Sequence, residues 1–297
     1  MKQNGLGPRS LVLLGPQTGA LKWGNGLGAL ILGVVFVAAS AGLVVSSLLI
    51  LLGGEHATRT VARQGGSRDL WEVLLRTLFF ALIVLLLKLV LAVPLAMLIR
   101  LESVRNAAWL LLLPWMLPVA VSSLGWLWLF YDVDGGANLA LTWFGYPQVA
   151  WFGGRWTAAG LLILFNVWRE LPLWALAVSR AMKGFGGDLE FLATTDGLSR
   201  WQHWRLMVMP RLSPVIAALA IISTIWAFGE FESVWLLTRG GPGTSTEILT
   251  VYAFRDAFQN QNLAAGAAAF LYFIPLASLS IFGLMTLYCS AAKRAHL

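Results

Sequence analysis

Six stretches of the chain run for about 20 residues or more with almost no charge, the length a helix rising 1.5 Å per residue needs to cross a bilayer. Polar residues, glycines and prolines gather between them. The first lies between Lys22 and Glu55, at about 27–52. The second covers about 72–99, is interrupted by Lys88 and stops at Arg100. A third lies between Arg105 and Asp132 and carries Trp126 and Trp128 at one end. The fourth, about 157–179, contains the neighbours Arg169 and Glu170. A fifth starts after Pro210 and reaches about 237, with Glu230 and Glu232 near its far end. The sixth, about 263–290, stops short of Lys293 and Arg294.

Composition turns these runs into a class. Hydrophobic residues make up 58% of the 297, charged residues 12%, and the mean hydropathy is +0.75; a soluble domain carries about twice that charged fraction. In lipid each backbone amide and carbonyl has to be paired within its own segment or in a closed barrel. Long apolar runs, rather than alternating short ones, choose helices. The pattern predicts an all-α integral membrane protein with about six transmembrane helices: a tail at 1–22, one membrane domain at 23–292 and a tail at 293–297.

Charge sets the expected orientation, because Lys and Arg are retained on the cytoplasmic side. With the N-terminus inside, twelve basic residues fall on inner segments: Lys2, Arg9, Lys22, Arg100, Arg105, Arg180, Lys183, Arg200, Arg205, Arg211, Lys293 and Arg294. Six fall outside: Arg59, Arg63, Arg68, Arg155, Arg239 and Arg255. Both termini are therefore expected in the cytoplasm. The pI near 10.0 reads as topology and contact with anionic lipid, and no basic soluble domain that would bind nucleic acid is seen. No small-residue cleavage site follows a short apolar core, so the first run reads as a retained helix. The single Cys289 permits no intrachain disulfide.

Signatures of enzymes are missing from the sequence: no phosphate-cradling G-x-x-x-x-G-K-[ST], no H-E-x-x-H, no G-x-S-x-G and no dinucleotide fingerprint. His56, His203 and His296 sit in three separate segments, without metal-ligand spacing. If ATP is used, another chain binds it.

The segment 182–211 between the fourth and fifth runs is the most informative. Asp188 can cap a short helix that puts Leu189, Leu192 and Ala193 on one face, and Gly197 lets the chain turn out of it. Pro210 and Pro214 stand where a new helix can begin. An amphipathic surface loop that only joins two spans satisfies the same residues.

The loop also resembles the EAA loop of binding-protein-dependent ABC importer permeases, whose pattern is E-A-A, three residues, G, nine residues, I-x-L-P. Aligned on Gly197, the closing element is Met207, Val208, Met209 and Pro210, and Asp196, Trp201 and Gln202 match common family residues. The opening departs from the pattern, with Phe191, Leu192 and Ala193 in the three leading positions and Glu190 one place early. A second stretch, after the fifth run, resembles the segment linking the last two helices in the first-permease branch of the maltose-type and glycerol-phosphate-type sugar permeases. Its matching residues are Gly240, Gly241, Pro242 and Gly243, then Thr246, Glu247, Tyr252 and Phe254; an external Gly-Pro turn alone needs only two or three of them.

The resemblance implies a type I ABC importer permease fold with a cytoplasmic coupling helix, in a prokaryotic plasma membrane. It implies a second permease subunit as heterodimer partner, two ATPase subunits that hold ATP and Mg, and an extracellular or periplasmic solute-binding protein; no cofactor is expected on this chain. Glu190, Phe191, Leu192, Ala193, Asp196, Gly197, Met207, Met209 and Pro210 would couple to the ATPase. For the pathway, charges inside spans mark candidates: Lys88, Arg169, Glu170, Glu230 and Glu232. Lys88 either snorkels or pairs with another helix, and Arg169 and Glu170, being adjacent, each pair elsewhere. Trp168, Phe228 and Trp235 are the expected sugar contacts, since sugar sites join aromatic faces to hydrogen-bonding groups. The expected function is carbohydrate import by alternating access. A type I permease for a phosphate ester or polyamine is the alternative, and a channel or membrane enzyme a more distant one.

Overall fold

The structure is a computed structural model that describes residues 59, 63, 68–101, 108–183 and 199–295. The expected first span at 27–52, the tail at 1–22 and most of the 182–211 loop, including Glu190, Phe191, Leu192, Ala193, Asp196 and Gly197, lie outside the described residues.

Among the described residues the elements are helical throughout. Four helices are long and apolar enough to cross a membrane, and a bent pair makes a fifth if it counts as one span. Helix α1, Arg68–Ile99, opens with Asp69 in its first turn, where a carboxylate favours the positive end of the helix dipole. Its two faces are both apolar but do different things. Leu70, Val73, Leu74, Ala81, Leu85 and Ala92 are buried, whereas Leu75, Phe79, Leu82, Leu86 and Val90 are exposed. The exposed stripe, spaced three and four residues apart, is what a lipid-facing helix presents.

The third expected span is not one straight helix. A 3₁₀ turn, Ala108–Leu112, runs into the single turn α2, Leu113–Met116, and then into α3, Val119–Leu129; the two halves meet at 95°. Pro118 supplies the cause: the residue before a proline is pushed out of the helical region, and Leu117 is extended at φ −70°, ψ 140°. Beyond α3 a loop and α4, Gly136–Trp143, fold back on Asn138. Its Nδ2 donates to the Asp132 carbonyl at 2.8 Å and the Val149 carbonyl at 3.0 Å, and its Oδ1 accepts from Val149 N and Trp151 Nε1, both at 3.0 Å.

Helix α5, Arg155–Lys183, holds Pro172 in its interior. A helical turn Arg200–His203 and a π turn Trp204–Val208 lead into α6, Met209–Gly229, with Pro210 in the first turn and Pro214 further inside. The fifth apolar run is thereby corrected at both ends: its span is Trp204–Gly229. Glu230 is extended at φ −64°, ψ 126° and ends it, and α7, Glu232–Leu237, is a separate short helix. The last helix is α9, Leu263–Ala295.

The segment between α7 and α9 is built on its glycines. Gly240 and Gly243 sit at φ +84° and +62°, and Gly241–Pro242 is a cis peptide; positive φ is where glycine has no steric penalty. Thr246 closes the turn, donating from Oγ1 to the Gly241 carbonyl at 2.7 Å and meeting Thr238 Oγ1 at 2.8 Å. Helix α8, Leu249–Phe254, and a π turn, Arg255–Gln259, follow. Thr77 of α1 stitches this segment to the bundle by accepting from Leu249 N at 2.9 Å. Glu247 is buried and paired with Arg255. Burial pushes its carboxyl above the usual range, the Arg255 guanidinium opposing; burial and then the Asp256 carboxylate push the Tyr252 phenol up to about 12.

Packing is helix on helix: α1 lies along α5, α6 along α9, and α6 also meets α1 and α5. One core joins Leu70, Val73 and Leu74 of α1 to Phe228 of α6, Leu249 of α8 and Phe273 of α9. A second joins Phe80 and Val84 of α1 to Trp126 of α3, Phe165 of α5 and Val234 of α7. The two cores leave α1, α5 and α6 in mutual contact at the level of the charged residues.

Candidate functional site: a charged cleft beside a buried ion pair

The charges that interrupt the apolar runs converge. Lys88 of α1 is completely buried and Glu170 of α5 is 5% exposed; Lys88 Nζ donates to Glu170 Oε2. It also donates to Ser223 Oγ of α6 at 2.8 Å, and that hydroxyl donates to the same carboxylate oxygen at 3.4 Å. One cation, one anion and one hydroxyl thus tie three spans together. Of the two fates open to Lys88, pairing with another helix is the one found. Lipid supplies no water to the head group, and a charge in a span is tolerated when it is matched there. Two residues on, Pro172 lacks the N–H that would bond the carbonyl four residues back, so α5 is weakened at Trp168, next to the pair.

Beside the pair opens a cleft of about 430 Å³. Trp115 of α2 forms one wall and Arg169 and Glu170 of α5 another; Ile225, Trp226 and Gly229 of α6, with Glu230, complete it. Each wall has a local reason. The break at Leu117 and Pro118 turns α2 away from α3 and leaves Trp115 39% exposed. Trp226 is 40% exposed, and a Cβ on Gly229 would meet nothing within 4 Å, so the end of α6 is open. Glu230 is fixed by its own backbone: its carbonyl accepts from Thr250 Oγ1, and its Oε1 accepts from Ser233 N at 2.9 Å. Arg169 differs from all of these. Its Nε is buried without a hydrogen-bond partner, and among the described residues no carboxylate forms an ion pair with it.

Of the residues singled out from the sequence, the structure brings Arg169, Glu170 and Glu230 into this cleft, with Lys88 behind them. The others lie elsewhere. Trp168 packs on Trp126 at 5.5 Å between ring centres, and Phe228 is a core residue edge-on to Phe273 at 5.0 Å. Glu232 is exposed in the first turn of α7. Trp235 stacks on Phe231 at 5.7 Å, with the Arg239 guanidinium over the Trp235 ring itself. Gly240, Gly241, Pro242 and Gly243 form the turn described above. Met207 lies in the π turn and Met209 and Pro210 at the start of α6. Ser223, Trp115 and Trp226 were not singled out. A serine one turn before a tryptophan near the end of an apolar run is the signal that could have found Ser223 and Trp226 of α6.

This geometry offers aromatic faces, a free guanidinium and carboxylate acceptors inside a helical bundle, the means to hold a polar solute without a reacting group. Comparison with known proteins fits it. No family model matches the chain. It is 29% identical over 206 residues to the diacetylchitobiose uptake system permease DasB of Streptomyces coelicolor, covering 67% of the chain and 63% of that protein. It is 30% identical over 251 residues to the maltose/maltodextrin transport system permease MalF of Escherichia coli K12, covering 79% of the chain. The chain belongs to the permeases of ABC importers. This permease spans 49% of MalF, so the match is to part of a longer relative. A probable ABC transporter permease of Brucella suis is 28% identical over 198 residues, with 65% of the permease and 68% of that protein aligned. Its fold matches, at 20% identity and a TM-score of 0.71, a chain of a bacterial alginate ABC transporter solved with an alginate pentasaccharide-bound periplasmic protein; 90% of the permease and 95% of that chain superpose. Multi-pass membrane architecture and the permease fold follow, and the relatives are transport subunits rather than enzymes.

Proposed function

We propose that this permease moves a carbohydrate across a prokaryotic plasma membrane by alternating access, with the cleft among Trp115, Arg169, Glu170, Trp226 and Glu230 as the solute's station. The observation that carries the reading is the convergence of two tryptophan faces with a guanidinium and carboxylates: sugars offer apolar ring faces and a rim of hydroxyls, and such sites recognise both at once. Both termini lie in the cytoplasm, in keeping with the distribution of Lys and Arg. A second permease completes the pathway as a heterodimer, and a periplasmic or extracellular solute-binding protein delivers the cargo. ATP and Mg sit on two ATPase subunits, and this chain holds no cofactor. The 182–211 loop docks on them through Glu190, Phe191, Leu192, Ala193, Asp196, Gly197, Met207, Met209 and Pro210. Closure of the ATPase pair is transmitted as a rigid-body rocking of the spans between two states.

The experiment is uptake and ATP hydrolysis by the complete transporter in proteoliposomes. Gly229→Phe fills the open end of the cleft and should abolish uptake of the sugar that stimulates the wild type, while the complex still assembles. Gly197→Asp should leave assembly intact and remove the solute-stimulated ATP hydrolysis. Uptake of a polyamine or a simple phosphate ester in place of every sugar tried would move the reading to another solute class, and unchanged uptake by Gly229→Phe would remove the cleft from the pathway.

A further inference from the structure

The charges around the cleft do not all have partners. Glu170 is occupied by Lys88 and Ser223, and Glu230 by the Ser233 amide. Arg169 alone brings a charge that nothing on this chain's described residues receives, with its Nε buried and unpaired. Arg169 as a whole is half-buried, and a guanidinium whose Nε has given up water is best matched by an anion; its fixed fork fits the two oxygens of a carboxylate or two of a phosphate. Keeping such a group unpaired in a membrane span is unfavourable. Arg169 lines the same cleft as the indoles of Trp115 and Trp226.

We propose that the solute is an acidic saccharide, and that Arg169 receives its carboxylate or phosphate while the sugar faces lie on Trp115 and Trp226 and its hydroxyls donate to Glu230. The proposal rests on the carbohydrate reading of the cleft and adds the charge of the cargo. Neutral sugars satisfy Glu230 but leave Arg169 as it stands, so they lose the charge-assisted bonds.

The test is equilibrium binding of radiolabelled probes to the complete transporter in nanodiscs without its solute-binding protein, so that the cleft alone selects. The probes are digalacturonate against its dimethyl ester, and trehalose 6-phosphate against trehalose; each pair differs in the acidic group, and the two pairs separate carboxylate from phosphate. The wild type is expected to bind one acidic probe on the order of tenfold or more tighter than its neutral counterpart, the scale of hydrogen bonds to a charged group. Arg169→Gln should bring that ratio to one, whatever it does to the neutral probe, and Arg169→Lys should keep part of it. Glu230→Gln should weaken acidic and neutral probes alike. Equal binding of acid and ester by the wild type, or a ratio that survives Arg169→Gln, overturns the proposal and leaves the carbohydrate reading standing. Binding of no probe overturns both. Failure of the Arg169 variants to assemble with the second permease also overturns it, because the counter-charge then belongs to the neighbouring subunit.

Discussion

Replacing Lys88 by Met removes the one cation that, among the described residues, pairs with Glu170 inside the bundle, while leaving a side chain of similar length. The consequence follows from the contacts. Lys88 Nζ gives Glu170 its principal donor; without it Glu170 Oε2 retains only Ser223 Oγ at 3.4 Å, in a site where Lys88, Glu170 and Ser223 are 0%, 5% and 1% exposed. Breaking a buried pair by removing one partner costs about 3–5 kcal/mol, and a lone charge within a membrane span about 2.5–3.5 kcal/mol on insertion scales. Both bring the expected loss for Lys88→Met to roughly 3 kcal/mol. In Lys88→Met/Glu170→Met no charge is left. Ser223 can then turn its hydroxyl to a carbonyl one turn back along α6, so the double variant should sit within about 1–2 kcal/mol of the wild type. The assay is reversible unfolding of the purified permease in mixed micelles by added dodecyl sulfate, followed by circular dichroism. The four proteins of the cycle give the coupling directly. Losses that simply add, leaving the double variant worse than either single one, would refute the ion pair as the link among α1, α5 and α6.

Two further outcomes follow from the segment between α7 and α9. Gly266→Leu should destabilise the docking of α9 by about 1–3 kcal/mol or more, since its Cβ alone would stand 2.8 Å from the Ala253 carbonyl oxygen and from Ala257 Cβ; unfolding in the same micelles checks it, and wild-type stability would deny the close crossing. The Glu247 carboxyl, raised by burial above its ordinary 4.5, favours the folded segment most below that value and loses this contribution as the pH climbs through its folded value. Hydrogen-exchange protection of 244–255 in the wild type should therefore fall relative to Glu247→Gln from pH 4 to pH 8, and a rise would show that Arg255 outweighs the burial.

Much of the bundle was legible from the chain because lipid writes a coarse signal. Helices α1, α5 and α9 coincide with the second, fourth and sixth apolar runs, and Lys88, Arg169 and Glu170 stood out because a charge in such a run has few places to go. What lipid conceals is the face of each helix. In water, α1 would have shown a polar side opposite Leu70, Leu74 and Ala81; here Leu75, Phe79 and Val90 are as apolar as the core, so no periodicity told inside from outside. Nor did sequence separation suggest that Lys88 would meet Glu170, 82 residues on, or Ser223, 135 residues on. The break at Pro118 had a local cause that could have been read from the X-Pro rule. The end of α6 had none as plain, because Gly229 is the kind of residue that spans tolerate and the apolar run continues past it to Leu237. Trp115 and Trp226 were hidden by number, among 15 tryptophans.

The two errors of span boundary and the assembly of the cleft have one physical origin. Where α2 breaks from α3 at Leu117, and where α6 stops at Gly229 with Glu230 extended, backbone groups leave the helical ladder; inside a membrane that is tolerated only where protein or a watery cavity receives them. Glu230 shows how: its carbonyl takes the Thr250 hydroxyl and its carboxylate the Ser233 amide. Both breaks border the same space, as does the stretch of α5 that Pro172 weakens. The interruptions that make the apolar runs poor guides to span ends thus border the polar cleft, and the Lys88–Glu170 ion pair beside it ties the three spans together.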